Sequence, residues 1–232
     1  MVRYYKIAGL TVKMDTFGRT LEQARPYLCE EAVPDINIAV NYNELRSEHP
    51  YLSVDDCEYI STCRAFYSKL LNFSACILHS SAVVVDNRAY LFSAASGTGK
   101  STHTQLWLDT FGDRAYMLND DKPAIRYEDG AWYAYGTPWS GKYDISTNAR
   151  VPLAGICFLQ RGEKNEIMPF GGKDAVFAFL EQTIRPAYMS NRLKLLDLIE
   201  QLVKDVPFWK LSCNMEKEAA MVSYRAMSGC EE

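Results

Sequence analysis

Leu91-Phe92-Ser93-Ala94-Ala95-Ser96-Gly97-Thr98-Gly99-Lys100-Ser101-Thr102 is the stretch that decides the fold class. An apolar, strand-like run ends in small residues, and Gly-Lys-Ser-Thr then opens a segment with helical spacing. Glycines let a backbone curl so that successive N–H groups point at phosphate oxygens, and the helix that follows adds the partial positive charge of its N-terminus. In such a loop the lysine reaches the outer phosphates and the next hydroxyl serves Mg²⁺. Ala95, Ser96, Gly97, Thr98, Gly99, Lys100, Ser101 and Thr102 are therefore the candidate phosphate-binding residues. One position departs from the G-x-x-x-x-G-K-[ST] pattern, since Ala94 stands where the first glycine is expected and gives up easy access to positive φ. The competing reading is a plain strand–turn–helix junction that carries Gly and Lys.

Downstream, the apolar run Tyr116-Met117-Leu118 ends in Asn119-Asp120-Asp121. A neighbouring strand would bring those carboxylates to the metal and the terminal phosphate, which is where phosphoryl transfer needs them. Asp120 and Asp121 can divide these tasks, one on the metal with Ser101 and the other as base toward an incoming hydroxyl; Asp120 is taken as the candidate metal ligand and Asp121 as the candidate base, and the sequence fits either order. Asp-rich turns before proline are also common, and Lys122-Pro123 follows here. Upstream, His79 precedes Ser80-Ser81 and a strand that runs antiparallel into the loop, so it is the third candidate catalytic group beside Lys100. Gly136-Thr137-Pro138-Trp139-Ser140-Gly141-Lys142 reads either as a mobile loop, with Ser140 and Lys142 closing on the site, or as a connection with Trp139 folded onto the core. Arg150 and Arg161 flank the next strand and are expected in surface ion pairs, and His49 and His103 as structural or surface residues.

The chain of 232 residues is 48% hydrophobic and 23% charged, which suits one large domain or a domain with a small appendage. A net charge of −4 without a long basic run excludes an extended nucleic-acid surface, though not a basic cleft for a free nucleotide. No run approaches the roughly 18 apolar residues that span a bilayer, and Met1-Val2-Arg3-Tyr4-Tyr5-Lys6 lacks an apolar signal core, so the expectation is a soluble, cytoplasmic protein without a membrane partner. Cysteines at 29, 57, 63, 76, 157, 213 and 230 form no C-x-x-C pair and are expected to be reduced and mostly buried.

Residues 1–50 carry short alternating runs and turn residues, which predicts strands of a small N-terminal α+β lobe spanning residues 1–75. Tyr59, Ile60, Cys63, Phe66, Tyr67, Leu70 and Leu71 recur at helical spacing over 55–73, behind the capping signal Ser53. From residue 76 to 232 a second domain is expected. It contains a hairpin turning at Asp86-Asn87, a helix over 100–111, an Asp129-Gly130 hairpin and a central strand at 153–159. Helices are predicted at 173–184 and 190–204, then a strand at 208–211 and a closing helix capped by Asn214.

His79, the hairpin, Ser96-Gly97-Thr98-Gly99-Lys100-Ser101 and Asp120-Asp121 together resemble the P-loop core of the HPr kinase/phosphorylase family, shared with ATP-dependent phosphoenolpyruvate carboxykinases. The resemblance covers about residues 76–160, and the His79-to-Lys100 spacing matches that of the kinase. It implies an α/β fold with a mixed, largely antiparallel sheet around the loop strand, ATP and Mg²⁺ as cofactors, and Lys100, Ser101, Asp120, Asp121 and His79 as site residues. The kinase's downstream glycine-and-arginine signature is absent and Pro138-Trp139-Ser140-Gly141-Lys142 stands in that region, so a divergent member is implied. The expected function is an ATP- and Mg²⁺-dependent kinase acting on a hydroxyl of a small metabolite or on a serine of a peptide or protein. The alternative is a non-catalytic nucleotide-binding regulator of the same fold.

Overall fold

The computed structural model describes residues 2–229. Val2–Ile7 (β1) and Leu10–Asp15 (β2) form an antiparallel hairpin with Tyr5 opposite Val12 and Ile7 opposite Leu10. Gly18–Ala24 (α1), Leu28–Cys29 (β3), Ile36–Ile38 (β4) and Asn43–Glu48 (α2) follow, and the first sheet runs β3-β1-β2-β4. The two short helices are additions to the strands expected over residues 1–50; at 7 and 6 residues they show too few turns to reveal a period. Val54–Leu70 (α3) begins where Ser53 Oγ accepts the Asp56 backbone N–H at 3.0 Å. Its buried stripe of Tyr59, Cys63, Phe66, Tyr67 and Leu70 packs with Tyr5, Val12, Ile36 and Ile38 of the first sheet.

The second sheet begins with Ala75–Ile77 (β5), Ser80–Val85 (β6) and Arg88–Ser93 (β7). Lys100–Phe111 (α4), Ala115–Asp121 (β8), Ala124–Glu128 (β9), Ala131–Tyr135 (β10) and Arg150–Arg161 (β11) come next. The chain closes through Glu166–Pro169 (β12), Gly172–Glu181 (α5), Met189–Asp205 (α6), Phe208–Cys213 (β13) and Lys217–Ser228 (α7). Strand order is β5-β9-β10-β11-β7-β6-β8, with β13 paired to β11 and β12. Antiparallel pairs predominate, and β11 runs parallel to both β7 and β13. The protein is thus α/β with mixed sheets.

Strand β7 sits inside this sheet and shows why the loop starts from a fixed point. Its side chains alternate between faces. Ala89 and Leu91 join Phe179, Ile199 and Leu202 of α5 and α6, while Tyr90 and Phe92 join Trp107 of α4 and Met227 of α7. Each fully buried large side chain contributes about 1.5–3 kcal/mol of apolar burial, so β7 is anchored from both sides. The first sheet's core is continuous with the second through Ala75, Ile77, Ala124, Tyr135 and Trp139.

One expectation needs correction, and one strand carries no sequence signal. The N-cap position of the closing helix falls on Glu216, which makes no side-chain cap bond, and not on Asn214, whose Oδ1 accepts the Glu216 N–H at 3.0 Å in the turn before the helix. Strand β12 was not predicted, because Glu166–Pro169 is short and mostly exposed and has no alternating apolar pattern. Cys57, Cys63, Cys76 and Cys157 are buried free thiols, Cys29 and Cys213 are half-buried, and Cys230 lies outside the described residues. Burial pushes the Cys63 and Cys76 thiols up to about 12, which leaves them inert. Among the described residues no helix is long and apolar enough to cross a membrane.

Candidate functional site

The loop after β7 is built by two residues with positive φ, Gly97 at 77° and Gly99 at 118°. A Cβ at either would meet nothing within 4 Å, so glycine is required there by conformation and not by space. Ala94 keeps a negative φ, so the missing glycine leaves the backbone unstrained, and its carbonyl accepts Lys100 Nζ at 3.1 Å. Helix α4 starts at Lys100, as the sequence predicts. Arg161, expected in a surface ion pair, instead donates from Nη2 to Gly97 O at 2.6 Å and from Nε to Thr98 O at 3.4 Å. Strand β11 therefore braces the loop from its far side.

Asp120 and Asp121 lie within β8, opposite Ser81 and Ser80 of β6 respectively. Asp120 Oδ1 accepts from Ser81 Oγ, and from Ser101 Oγ at 3.0 Å. Asp121 Oδ1 lies 3.3 Å from His79 Nε2, and its Oδ2 accepts from Lys122 Nζ. Burial works to raise the Asp121 carboxyl, but the His79 hydrogen bond and the Lys122 ammonium outweigh it and hold the group below the usual carboxylate value. Burial lowers the Lys100 ammonium from its ordinary value, opposed by the charges of Asp121 and Asp120. Asn119, fully buried behind the pair, accepts the backbone N–H groups of Asp121 and Lys122 at 3.1 and 2.7 Å and donates to Thr137 O at 2.9 Å.

The loop after β10 is held against α3 and α1 by burial and hydrogen bonds. Trp139 is fully buried and stacks on Phe66 with centroids 4.9 Å apart, so the core alternative is the one realised. Ser140 is buried and donates to Asp144 at 2.9 Å, which removes it from the site. Gly136 and Gly141 act as close contacts: a Cβ would lie 2.0 Å from Thr147 O at the first and 3.0 Å from Asp121 Cβ at the second. The Gly141 N–H donates to Tyr59 Oη at 3.2 Å, and its carbonyl accepts from Arg19 and from Gln23 Nε2 at 3.1 Å. Lys142 and Tyr143 are exposed beyond this anchor. Arg150 pairs with Glu128 at 2.7 Å and Asp129 at 3.1 Å, as expected. His103 is buried, and burial lowers it to about 4.

His79, Ser96, Lys100, Ser101, Asp120 and Asp121 line one open cleft of about 480 Å³, with Gly141, Lys142 and Tyr143 at its edge. Thr98 lines an adjoining hollow of about 460 Å³ that shares Gly97, Gly99 and Thr102 with the cleft. The sequence reading gave no role to Ser81, Lys122 or Gln182. Ser81 follows His79 by two positions, a spacing that places it beside the acid pair only once the β6–β8 register is known. Gln182 carries no local signal at all.

The fold and cleft define an α/β protein whose mixed sheet carries a glycine-rich strand–loop–helix junction beside a pair of strand aspartates. The chain belongs to the SynChlorMet cassette protein ScmC family, whose pattern matches residues 53–218. Among solved structures it is similar to the Hpr(Ser) kinase/phosphatase from Coxiella burnetii at 12% identity, over 66% of this chain and 95% of that one, with a TM-score of 0.38. No curated protein matches.

Proposed function

We propose that this protein is a phosphotransferase that moves the terminal phosphoryl group of ATP, with Mg²⁺, onto a hydroxyl of a small metabolite or of a serine in a peptide or protein. The observation that carries the reading is the convergence on one cleft of Lys100 at a helix N-terminus, Ser101 on Asp120, and Asp121 on His79. The donor set fits the metal: Ser101 Oγ and the Asp120 carboxylate are hard oxygen ligands, and Mg²⁺ takes few protein ligands and completes its shell with water and phosphate oxygens. When bound, Mg²⁺ supplies neutralisation of phosphate charge. Among the described residues no group of three or more His, Cys, Asp or Glu is placed to hold a metal ion.

The chain's own groups divide the remaining work. The Gly97–Gly99 backbone and Lys100 hold the phosphate oxygens, the lysine exchanging its contact with Ala94 O for them. Asp121 aligns the acceptor hydroxyl and receives its proton. The hydroxyl oxygen forms the new P–O bond as the bond from the terminal phosphorus to the bridging oxygen breaks, and that electron pair leaves on the nucleoside diphosphate. His79 and Lys122 keep the Asp121 carboxylate ionised and oriented.

Incubation with labelled ATP, Mg²⁺ and a panel of hydroxyl metabolites and serine peptides tests this. Transfer is expected to one acceptor class and to fall at least about 10²-fold in Lys100→Ala and Asp121→Asn. Transfer unchanged by both substitutions would overturn the assignment, and tight ATP binding without turnover for any acceptor would favour the regulator alternative.

A further inference from the structure

Gln182, the residue after α5, holds His79 at two points. Its carbonyl accepts the His79 backbone N–H at 2.7 Å, and its side-chain Oε1 lies 3.2 Å from His79 Nδ1. Thr183 donates from Oγ1 to Ile77 O at 2.6 Å, so the end of α5 is stitched along residues 77–79. On the other side of the ring, Nε2 faces Asp121 Oδ1 at 3.3 Å.

The chemistry of the ring makes the partner at Nδ1 informative. A carboxylate only accepts, so Nε2 carries a hydrogen in this arrangement. Neutral His79 then has a bare Nδ1 that calls for a donor, whereas charged His79 has an Nδ1–H that calls for an acceptor. A primary amide serves both by turning through 180°, because its oxygen and nitrogen occupy equivalent positions. A carboxylate at the same place would favour the charged ring, and a hydrocarbon would serve neither form. The charged groups that share the cleft with His79 are Lys100, Asp120, Asp121 and Lys142, with Lys122 on Asp121. From α5, Gln182 brings only its neutral amide to the ring.

We propose that Gln182 is a positioning residue of this site: it holds the His79 ring with Nε2–H on Asp121 in both charge states of the imidazole. The catalytic consequence rests on the phosphotransferase reading; the control of the ring does not.

The test is ¹⁵N–¹H correlation of the histidine rings across pH 5–9 in the full-length parent, Gln182→Leu and Gln182→Glu, with His79→Asn to assign the signal. The parent is expected to show a single Nε2–H form of the neutral ring. Gln182→Glu sets an acceptor at each ring nitrogen, so it loses the single form of the neutral ring and moves the titration midpoint up by about one pH unit, since a new carboxylate faces Nδ1. Gln182→Leu gives a mixture of tautomers. In the transfer assay, Gln182→Leu lowers kcat about tenfold or more with KM for ATP unchanged, and Gln182→Glu recovers part of it with a displaced pH profile. A Gln182→Leu protein whose tautomer and midpoint match the parent overturns the proposal, and so does Gln182→Glu without an upward shift. Absence of transfer in the parent would sink the phosphotransferase reading alone, because the ring spectra decide the role of Gln182 independently.

Discussion

Asp121 is one of two adjacent aspartates, and its neighbours separate it from the other. Asp120 accepts from two serine hydroxyls, whereas Asp121 faces the His79 imidazole and the Lys122 ammonium. Burial alone would raise the Asp121 carboxyl, so its depressed value depends on those two partners. A carboxylate with a depressed folded value adds stability above its unfolded value, and that stability is lost as pH falls through the folded value. Replacing Lys122 with Met removes one partner and leaves the burial. The acid limb of kcat/KM is then expected to move to higher pH, and the acid-unfolding midpoint to move with it. Rate profiles and circular dichroism on the same pH series check this; limbs that coincide with the parent would show that Lys122 does not tune Asp121. The acid pair itself was legible at the end of an apolar run. Which partners each carboxylate takes was not, because that is set by the β6–β8 register and by a lysine next in sequence that also reads as a turn residue.

At the scale of elements, the strand–loop–helix junction was readable down to the first helical residue, and the loop after β10 was not. The first is specified locally: buried β7, two positive-φ glycines and a helix that begins at Lys100 lie within one short run. The second is specified from afar, since Tyr59, Gln23 and Arg19 pin Gly141 from 82, 118 and 122 positions away. Glycine content suggested motion there, whereas those glycines are needed for close approach. Two substitutions follow from the distinction. Ala94→Gly restores the consensus pattern but has no positive φ to relieve, so it should leave ATP affinity unchanged and lower stability by about 0.4–1 kcal/mol through the unfolded chain. Gly141→Ala combines a φ of 76° with a Cβ 3.0 Å from Asp121 Cβ and 3.3 Å from Asp120 O. It should cost about 1–3 kcal/mol, seen as a melting point lower by several degrees, and reduce kcat while KM for ATP holds. Equal effects of the two changes on kcat would contradict this account of the loop.

Across the whole molecule, the N-terminal residues act through the core they share with the second sheet. Glu58 on α3 is buried, accepts from Thr20 at the start of α1, and is pushed up to about 7 by its burial, against the hydrogen bonds from Thr20 and the Phe17 backbone. A carboxyl whose folded value is raised contributes fully below its unfolded value, and that contribution is lost as pH rises through the folded one. Urea unfolding should therefore show stability declining between about pH 4.5 and 7, and Glu58→Gln should flatten that decline. A broader consequence concerns residues 2–52, which precede the segment matched by the family pattern. They supply β1, β2, β4 and α1, and with them the cover for Tyr59, Phe66, Tyr67 and Leu70, where Trp139 stacks on Phe66 and lies tilted against Tyr67. Removing them strips one side of a continuous core and also takes Arg19 and Gln23 from Gly141. A chain starting at residue 53 is accordingly expected to lose the cooperative thermal transition, to bind a hydrophobic dye and to lose ATP binding, even though the loop, the acid pair and His79 all remain in it. A cooperative melt with ATP affinity retained in that shortened chain would show instead that the second sheet folds as an independent unit and that its site needs no support from the first.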